Sequence, residues 1–371
     1  MKDELMREVD SLPPVSFESA GEYRSRMPLL VDDVNRIIES RDDLGHLIGD
    51  NPVAMMYDNH NNHAAFMANV FSLNNYDLLL SVVPWVYRAY RNHGFSYDYF
   101  PVHLRAWEQV LREQMSPETA EPLLRVYAWL ISRHKQFIAL SEDTEFLAVN
   151  IDQQWRPVVE SFLEAILKGD SGASLDISKE YVAGPEDIRI FYLKVIQPAM
   201  YRLGEMWENN EIPVAREHLA SAVVNRILAS QYLEFMSKEE PVRGRVVVAA
   251  TANELHEMGA QMVANSLELE GWDVQYLGAN TPNDELVDLA MERQPFILAL
   301  SVAMPFNIHA AQGVIGKIRE WPREKQPMIM LGGMAFHSLP RLALSLGADG
   351  YAEDCNRAVA LADQWWKEKA S

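Results

Sequence analysis

The feature that most constrains this chain is a change of hydrophobic period near residue 245. Beyond it, short apolar runs, "VVVAA" (246–250), "DVQYLG" (273–278), "FILALSVA" (296–303), "MIMLGG" (328–333) and "DGYAED" (349–354), alternate with segments of helical spacing such as "AQMVANSLELEG" and "NDELVDLAMER". Apolar runs separated by helix-length segments fit βαβ units around a parallel sheet covered on both faces. Upstream of residue 245 the period is helical throughout.

Five strands suit a flavodoxin-like domain, whose ligands sit beyond the carboxyl ends of the strands. Residues 1–145 repeat apolar positions at helical spacing, as in "DLLLSVVPWVYRAYRNHGF", with turn signals at "GDNP" and "MSPET". Residues 146–238 hold a second helical set, in which Pro185 and Pro213 fit helix first turns, and four antiparallel helices would satisfy it. The polar piece "SKEEPVRGR" (237–245) reads as a linker. The expected fold is therefore multidomain α and α/β: an all-helical domain over 1–145, a four-helix bundle over 146–238, and a flavodoxin-like five-stranded parallel α/β domain over 239–371.

Charge and cysteine use narrow the function. With 33 basic against 53 acidic side chains the net charge is −20, which repels phosphate backbones, and the densest basic pieces are short. Residues 1–150 alone carry 13 basic and 22 acidic side chains, so direct nucleic-acid binding is not expected. A single cysteine, Cys355, excludes a disulfide framework and points to the cytoplasm. No apolar run reaches the roughly 20 residues of a membrane span.

The stretch "TANELHEMGAQ" (251–261) sets His256 between Glu254 and Gly259 in the loop after the first strand. Taken alone, the pair reads as a helix cap and a surface histidine. Glu254-x-His256-x-x-Gly259 is followed, however, by Ser301-Val302-Ala303 and then by Gly332-Gly333, each at the carboxyl end of a strand. This constellation resembles the cobalamin-binding domain of methionine synthase, corrinoid methyl carriers, mutases and cobalamin-dependent light sensors, written D-x-H-x-x-G, S-x-L, G-G. The resemblance implies that His256 is the lower axial ligand of cobalt and that Glu254 holds its other ring nitrogen. It also implies that Gly332 and Gly333 leave room for the nucleotide tail, while Ser301 bonds that tail's buried nitrogen. Glu254 stands where the family has Asp, and Ala303 where it has Leu.

Upstream, Trp207 is followed after nine residues by Glu217-His218. By themselves these are a core tryptophan and a helix-start pair. Beside a cobalamin domain they resemble the bundle of the cobalamin-dependent light-sensing repressors. The resemblance implies that Trp207 shields an upper adenosyl group and that Glu217 and His218 contact it or its surroundings. Those repressors commonly carry His directly after the Trp; here the residue is Glu208.

The first domain concentrates His, Tyr, Phe and Arg in "MMYDNHNNHAAFM" and "VYRAYRNHGFSYDYFPVHLRAWEQVL". An aromatic-lined core or a dimer surface accounts for that composition. The whole layout also resembles photocobilins, which pair cobalamin with a bilin, and this implies biliverdin held without a covalent bond by residues such as His60, His63, Arg91 and His103. The function implied is a photoreceptor, not an enzyme: visible light cleaves the Co–C bond of adenosylcobalamin and the conformational change signals to a downstream protein, with self-association as a further expectation. The alternatives are a corrinoid methyl carrier and a cobalamin-level sensor that works in the dark.

Overall fold

The structure, a computed structural model, describes residues 2–143, 151–235 and 241–370. The expected domain boundaries at 145/146 and 238/239, and residues 237–240 of the expected linker, lie outside the described residues. The chain divides into two compact units, the first formed by the residues before 149 with Glu208–Asn210, the second by 149–207 and 211 onward.

The described helices of the first unit are α1 (Lys2–Val9), α2 (Phe17–Glu39), α3 (Leu44–Ile48), α4 (Val53–Leu73), α5 (Asp77–Asn92), α6 (Tyr99–Gln114), α7 (Pro117–Ser132) and α8 (His134–Ser141). Local chemistry sets their starts. Ser16 Oγ accepts the Ser19 N–H at 3.0 Å ahead of α2, and Ser116 Oγ accepts the Thr119 N–H at 3.3 Å ahead of α7, where Pro117 occupies the first turn. The core between α2, α4, α6 and α7 is aromatic: Tyr23, Phe71, Trp107 and Tyr127 are fully buried.

The second unit begins with a bundle of α9 (Arg156–Lys168), α10 (Ser171–Tyr181), α11 (Pro185–Phe191), α12 (Gln197–Glu208) and α13 (Val214–Phe235). A five-residue π-helical stretch, Tyr192–Ile196, joins α11 to α12, so five helices make four rods. Pro185 sits in the first turn of α11, and the Pro213 carbonyl accepts the N–H groups of Arg216 and Glu217 as α13 begins. The core of Phe162, Phe191, Val224 and Leu228 continues onto Met262 of α14 (Met258–Leu269), so the bundle is seated on the sheet's first helix. Asn265 donates to the Tyr192 hydroxyl at 2.9 Å and Arg189 pairs with Glu270 at 2.8 Å along the same seam.

The sheet is five-stranded and parallel, with β1 (Arg245–Ala250), β2 (Asp273–Tyr276), β3 (Ile297–Ser301), β4 (Met328–Gly332) and β5 (Gly350–Ala352) in the order β2-β1-β3-β4-β5. Besides α14, it is covered by α15 (Asn283–Arg293), α16 (Ile308–Arg319), α17 (Pro340–Ser345) and α18 (Cys355–Ala370). The connection order reverses between β1 and β3, which marks the crevice at their carboxyl ends as the ligand position of such sheets. Register brings the expected residues to that edge: Ala250 pairs with Ser301 and Ser301 with Gly332. Among the described residues, no helix is long and apolar enough to cross a membrane.

Candidate functional site

Glu254 is the anchor of the loop that follows β1. Its side chain is fully buried, and burial alone would raise its pKa; hydrogen bonds from His256 and from the backbone of Met304 and His256 outweigh that and hold it below the usual carboxylate range. One oxygen accepts the His256 backbone N–H at 3.0 Å and His256 Nδ1 at 2.6 Å. The other accepts the backbone N–H groups of Ala303 and Met304, both at 2.9 Å, and the Asn307 amide at 3.1 Å. Glu254 therefore does not cap the next helix, which starts at Met258 after Glu257. It ties the β1 loop to the β3 loop.

His256 is fixed through Nδ1 while 63% of its side chain remains exposed. The Glu254 hydrogen bond raises its pKa against the opposing effect of burial, and the charges of Glu254 and, farther off, Glu217 add to the rise. Because Nδ1 is committed to the carboxylate, Nε2 is the nitrogen left to bind a metal or a donor.

His256 lines a cavity of about 610 Å³ between the bundle and the sheet edge. Gly259, Ser301, Gly332 and Gly333 line the sheet side; Trp207, Glu217 and His218 line the bundle side. The nine site residues expected from sequence are thus brought together, with Glu254 directly behind His256. Within this set Glu217 accepts from His218 Nδ1 at 2.7 Å and from Ser221 Oγ at 2.7 Å.

The glycines differ in why they are glycine. Gly333 has φ of +101°, and a Cβ there would lie 2.2 Å from the Val302 carbonyl oxygen. The backbone itself requires glycine at that position, apart from any clearance for a ligand. At Gly332 a Cβ would meet the Ala352 carbonyl oxygen at 2.9 Å, while at Gly259 it would meet nothing within 4 Å.

Asn307 is a site residue that sequence reasoning missed. It is 2% exposed, and its amide bonds both Glu254 and the Asn253 carbonyl. It lies beyond β3 in a short 3-10 turn, a placement without hydrophobic periodicity. Ser221 was also missed, although its i,i+4 spacing from Glu217 on α13 is a readable signal.

In the first unit, His60, His63 and His103 do meet. His60 Nδ1 faces Asn35 Oδ1 at 2.6 Å and its Nε2 faces the Tyr99 hydroxyl at 2.8 Å. His63 Nε2 lies 3.1 Å from the Tyr127 hydroxyl, and Trp107 Nε1 donates to His103 Nε2 at 2.8 Å. The imidazoles of His60 and His103 stack at 4.8 Å and those of His63 and His103 meet edge-on at 4.6 Å. Burial pushes His60 and His63 down to about 3 and His103 well below its ordinary value. Arg91 is exposed, its guanidinium over the Tyr97 ring at 5.5 Å. Glu208, which also belongs to the first unit, is 7% exposed and accepts from Trp85 Nε1 at 3.0 Å and Arg88 Nε at 2.5 Å. The residue at the family's second-histidine position is thus committed to an ion pair.

A carboxylate-locked imidazole that keeps Nε2 for a ligand, set at a glycine-bearing sheet edge and sharing a cavity with Trp207, Glu217 and His218 of the bundle, fits a corrinoid. Fold and site together define a cobalamin-binding protein: residues 244–360 match the B12 binding domain, and residues 158–230 match a second model of that name, which covers the bundle. Over 154 residues, 41% of this chain, the sequence is 30% identical to the HTH-type transcriptional repressor CarA of Myxococcus xanthus, and it spans 51% of that protein's length. It is 22% identical over 171 residues to dimethylamine corrinoid protein 3 of Methanosarcina acetivorans, covering 46% of this chain and 79% of that one. The solved monomethylamine corrinoid protein of Methanosarcina barkeri aligns over 56% of this chain and 98% of its own, at 18% identity and a TM-score of 0.49. Two stretches of the chain, 158–230 and 244–360, are thus B12-binding domains by their matches, and the sequence is similar both to a repressor and to corrinoid proteins.

Proposed function

We propose that this protein is a cobalamin-dependent light sensor that holds adenosylcobalamin between its bundle and its sheet. The observation that carries the reading is the shared cavity, in which Trp207, Glu217 and His218 face the wall that bears His256. When bound, adenosylcobalamin supplies a Co–C bond that visible light breaks. His256 Nε2 would hold the metal, and Glu254 keeps that imidazole in one tautomer and one orientation. Trp207 on the bundle wall would shield the upper ligand from solvent and make a contact present only while that ligand is bound. The bundle then has a different set of contacts in the two states, which is what biases a two-state change.

The output of this reading is altered association with a protein partner or with another copy of the chain, and the protein has no enzymatic turnover of its own. Relationship to a protein named as a transcriptional repressor makes DNA the second output to assay, although the net charge of −20 opposes it. Biliverdin in the first unit is the second chromophore of this reading, held without a thioether because Cys355 is buried beside the sheet. To reach His60, His63 and His103 it must part their packing. A methyl carrier serving separate methyltransferases needs its upper face open, and Trp207 on the bundle wall works against that use.

The test is an absorption spectrum and a size-exclusion profile of the full chain with adenosylcobalamin, in the dark and after green light, with and without biliverdin. Light-driven, irreversible conversion of the cobalamin bands together with a change of elution volume supports the sensor. Tight binding with no functional response to light favours the methyl carrier or the dark cobalamin sensor. In the Trp207→Ala variant, adenosyl retention in the dark is expected to fall, and unchanged photolysis kinetics would remove the lid role.

A further inference from the structure

Helix α13 presents a polar stripe to the cavity. Glu217, Ser221 and Asn225 follow one another at four-residue spacing, about 6 Å apart along the helix axis, and all three line the cavity wall. The first two satisfy each other and His218, since both Glu217 oxygens are taken by Ser221 Oγ and His218 Nδ1. Asn225 is different: its Oδ1 is buried and accepts no hydrogen bond. Its neighbours on the same face of the helix are Ser221, whose hydroxyl is given to Glu217, and Ala222, Leu228 and Ala229, which carry no side-chain donor. They offer it no donor.

A buried amide oxygen without a donor is costly; several occur among the described residues, and that of Asn225 is the one on this cavity's lining. Here the wall it occupies belongs to the bundle, opposite the sheet-side wall of Ser301, Gly332 and Gly333. A donor brought to Asn225 by whatever the cavity holds would lie on that molecule's bundle-facing side.

We propose that Asn225 reads the upper ligand: its Oδ1 accepts a hydrogen bond from an N–H or O–H donor carried there, which selects a nucleoside-bearing upper ligand over a methyl group. This rests on the cobalamin reading above and sharpens it, because a methyl group has no donor to offer. Selection of this kind is strong for the reason that a polar site filled by an apolar ligand leaves its buried acceptor unpaired.

The experiment compares dissociation constants for adenosylcobalamin and methylcobalamin, titrated in the dark and read by the cobalamin absorption bands. The variants are wild type, Asn225→Leu and Asn225→Asp. Wild type is expected to prefer the adenosyl form; Asn225→Leu is expected to reduce that preference roughly tenfold while methylcobalamin binding holds. Asn225→Asp keeps an acceptor and should keep the preference. Should Asn225→Leu fail to fold, Asn225→Ala reads the same ratio. A ratio unchanged in Asn225→Leu, or equal weakening of both forms, overturns the assignment, the latter placing Asn225 against the corrin ring's own amides or in the packing alone. Wild-type protein that binds neither form overturns the cobalamin reading itself.

Discussion

In the first unit His60 and His103 are buried and His63 is half-buried against them, whereas in the second His256 keeps 63% of its imidazole side chain exposed. Both arrangements are precise, and they differ in what surrounds the ring. His60, His63 and His103 are enclosed by Tyr99, Tyr127 and Trp107, so burial makes the charged form unfavourable and the rings stay neutral. His256 leans on a buried carboxylate that raises its basicity and leaves Nε2 facing outward chemistry. A histidine is placed to be a ligand when one nitrogen is held and the other is exposed, and is a core residue when its surroundings enclose the ring.

The largest expected effect is at Glu254. Glu254→Ala removes one acceptor from three backbone N–H groups, the Asn307 amide and His256 at once, so the second unit should lose about 3 kcal/mol or more, and cobalamin affinity at least about a hundredfold. Urea denaturation and cobalamin titration measure the two; an intact loop with normal binding would dissolve the anchor role.

Next comes a crossed pair. His256→Ala should cost the second unit about 1 kcal/mol, because the buried Glu254 carboxylate keeps the backbone N–H of residue 256 but loses Nδ1, while cobalamin binding falls tenfold or more. His103→Ala should do the reverse, costing about 2–4 kcal/mol with binding at the wild-type level. If the two variants exchange behaviours, the division between ligand and core histidine is wrong.

Acidification should separate the units by the same logic. A histidine whose folded pKa is depressed contributes fully above its unfolded value near 6.5 and loses that contribution as pH falls below it, because the unfolded chain binds the proton first. With His60 and His63 held down to about 3, each should remove about 2 kcal/mol from the first unit by pH 5. Unfolding midpoints at pH 7 and pH 5, followed by near-ultraviolet circular dichroism of the aromatic core, check this; equal midpoints would mean that the cluster is not buried neutral. The smallest effect is at Gly259, where Gly259→Ala meets no atom within 4 Å and should shift stability by about 0.5 kcal/mol or less.

Much of the sheet and the site edge was legible because both obey short-range rules. Strand runs announced themselves by length and β-branching, and Glu254, His256, Ser301 and Gly332 were placed by their distance from strand ends. What escaped was non-local. Asn307 reaches Glu254 across 53 residues of sequence, and the Ala303 and Met304 amides are backbone groups that no side-chain motif encodes. The π-helical stretch Tyr192–Ile196 carries no Gly or Pro to mark it. Gly333 was expected to make room for a nucleotide tail, yet its φ and the nearby Val302 carbonyl demand glycine from within the fold. Arg91 was grouped with the histidines by neighbourhood in sequence, but it lies exposed over Tyr97.

The most direct test of the central claim is the electron paramagnetic resonance spectrum of the full chain loaded with reduced, paramagnetic cobalamin and prepared with and without ¹⁵N-histidine. If His256 Nε2 holds the cobalt, the nitrogen superhyperfine splitting changes from a triplet to a doublet pattern on labelling, and that change is lost in His256→Ala. A splitting unaffected by histidine labelling would mean that the nitrogen on cobalt is not the protein's, and that the loop built around Glu254 positions His256 for something else.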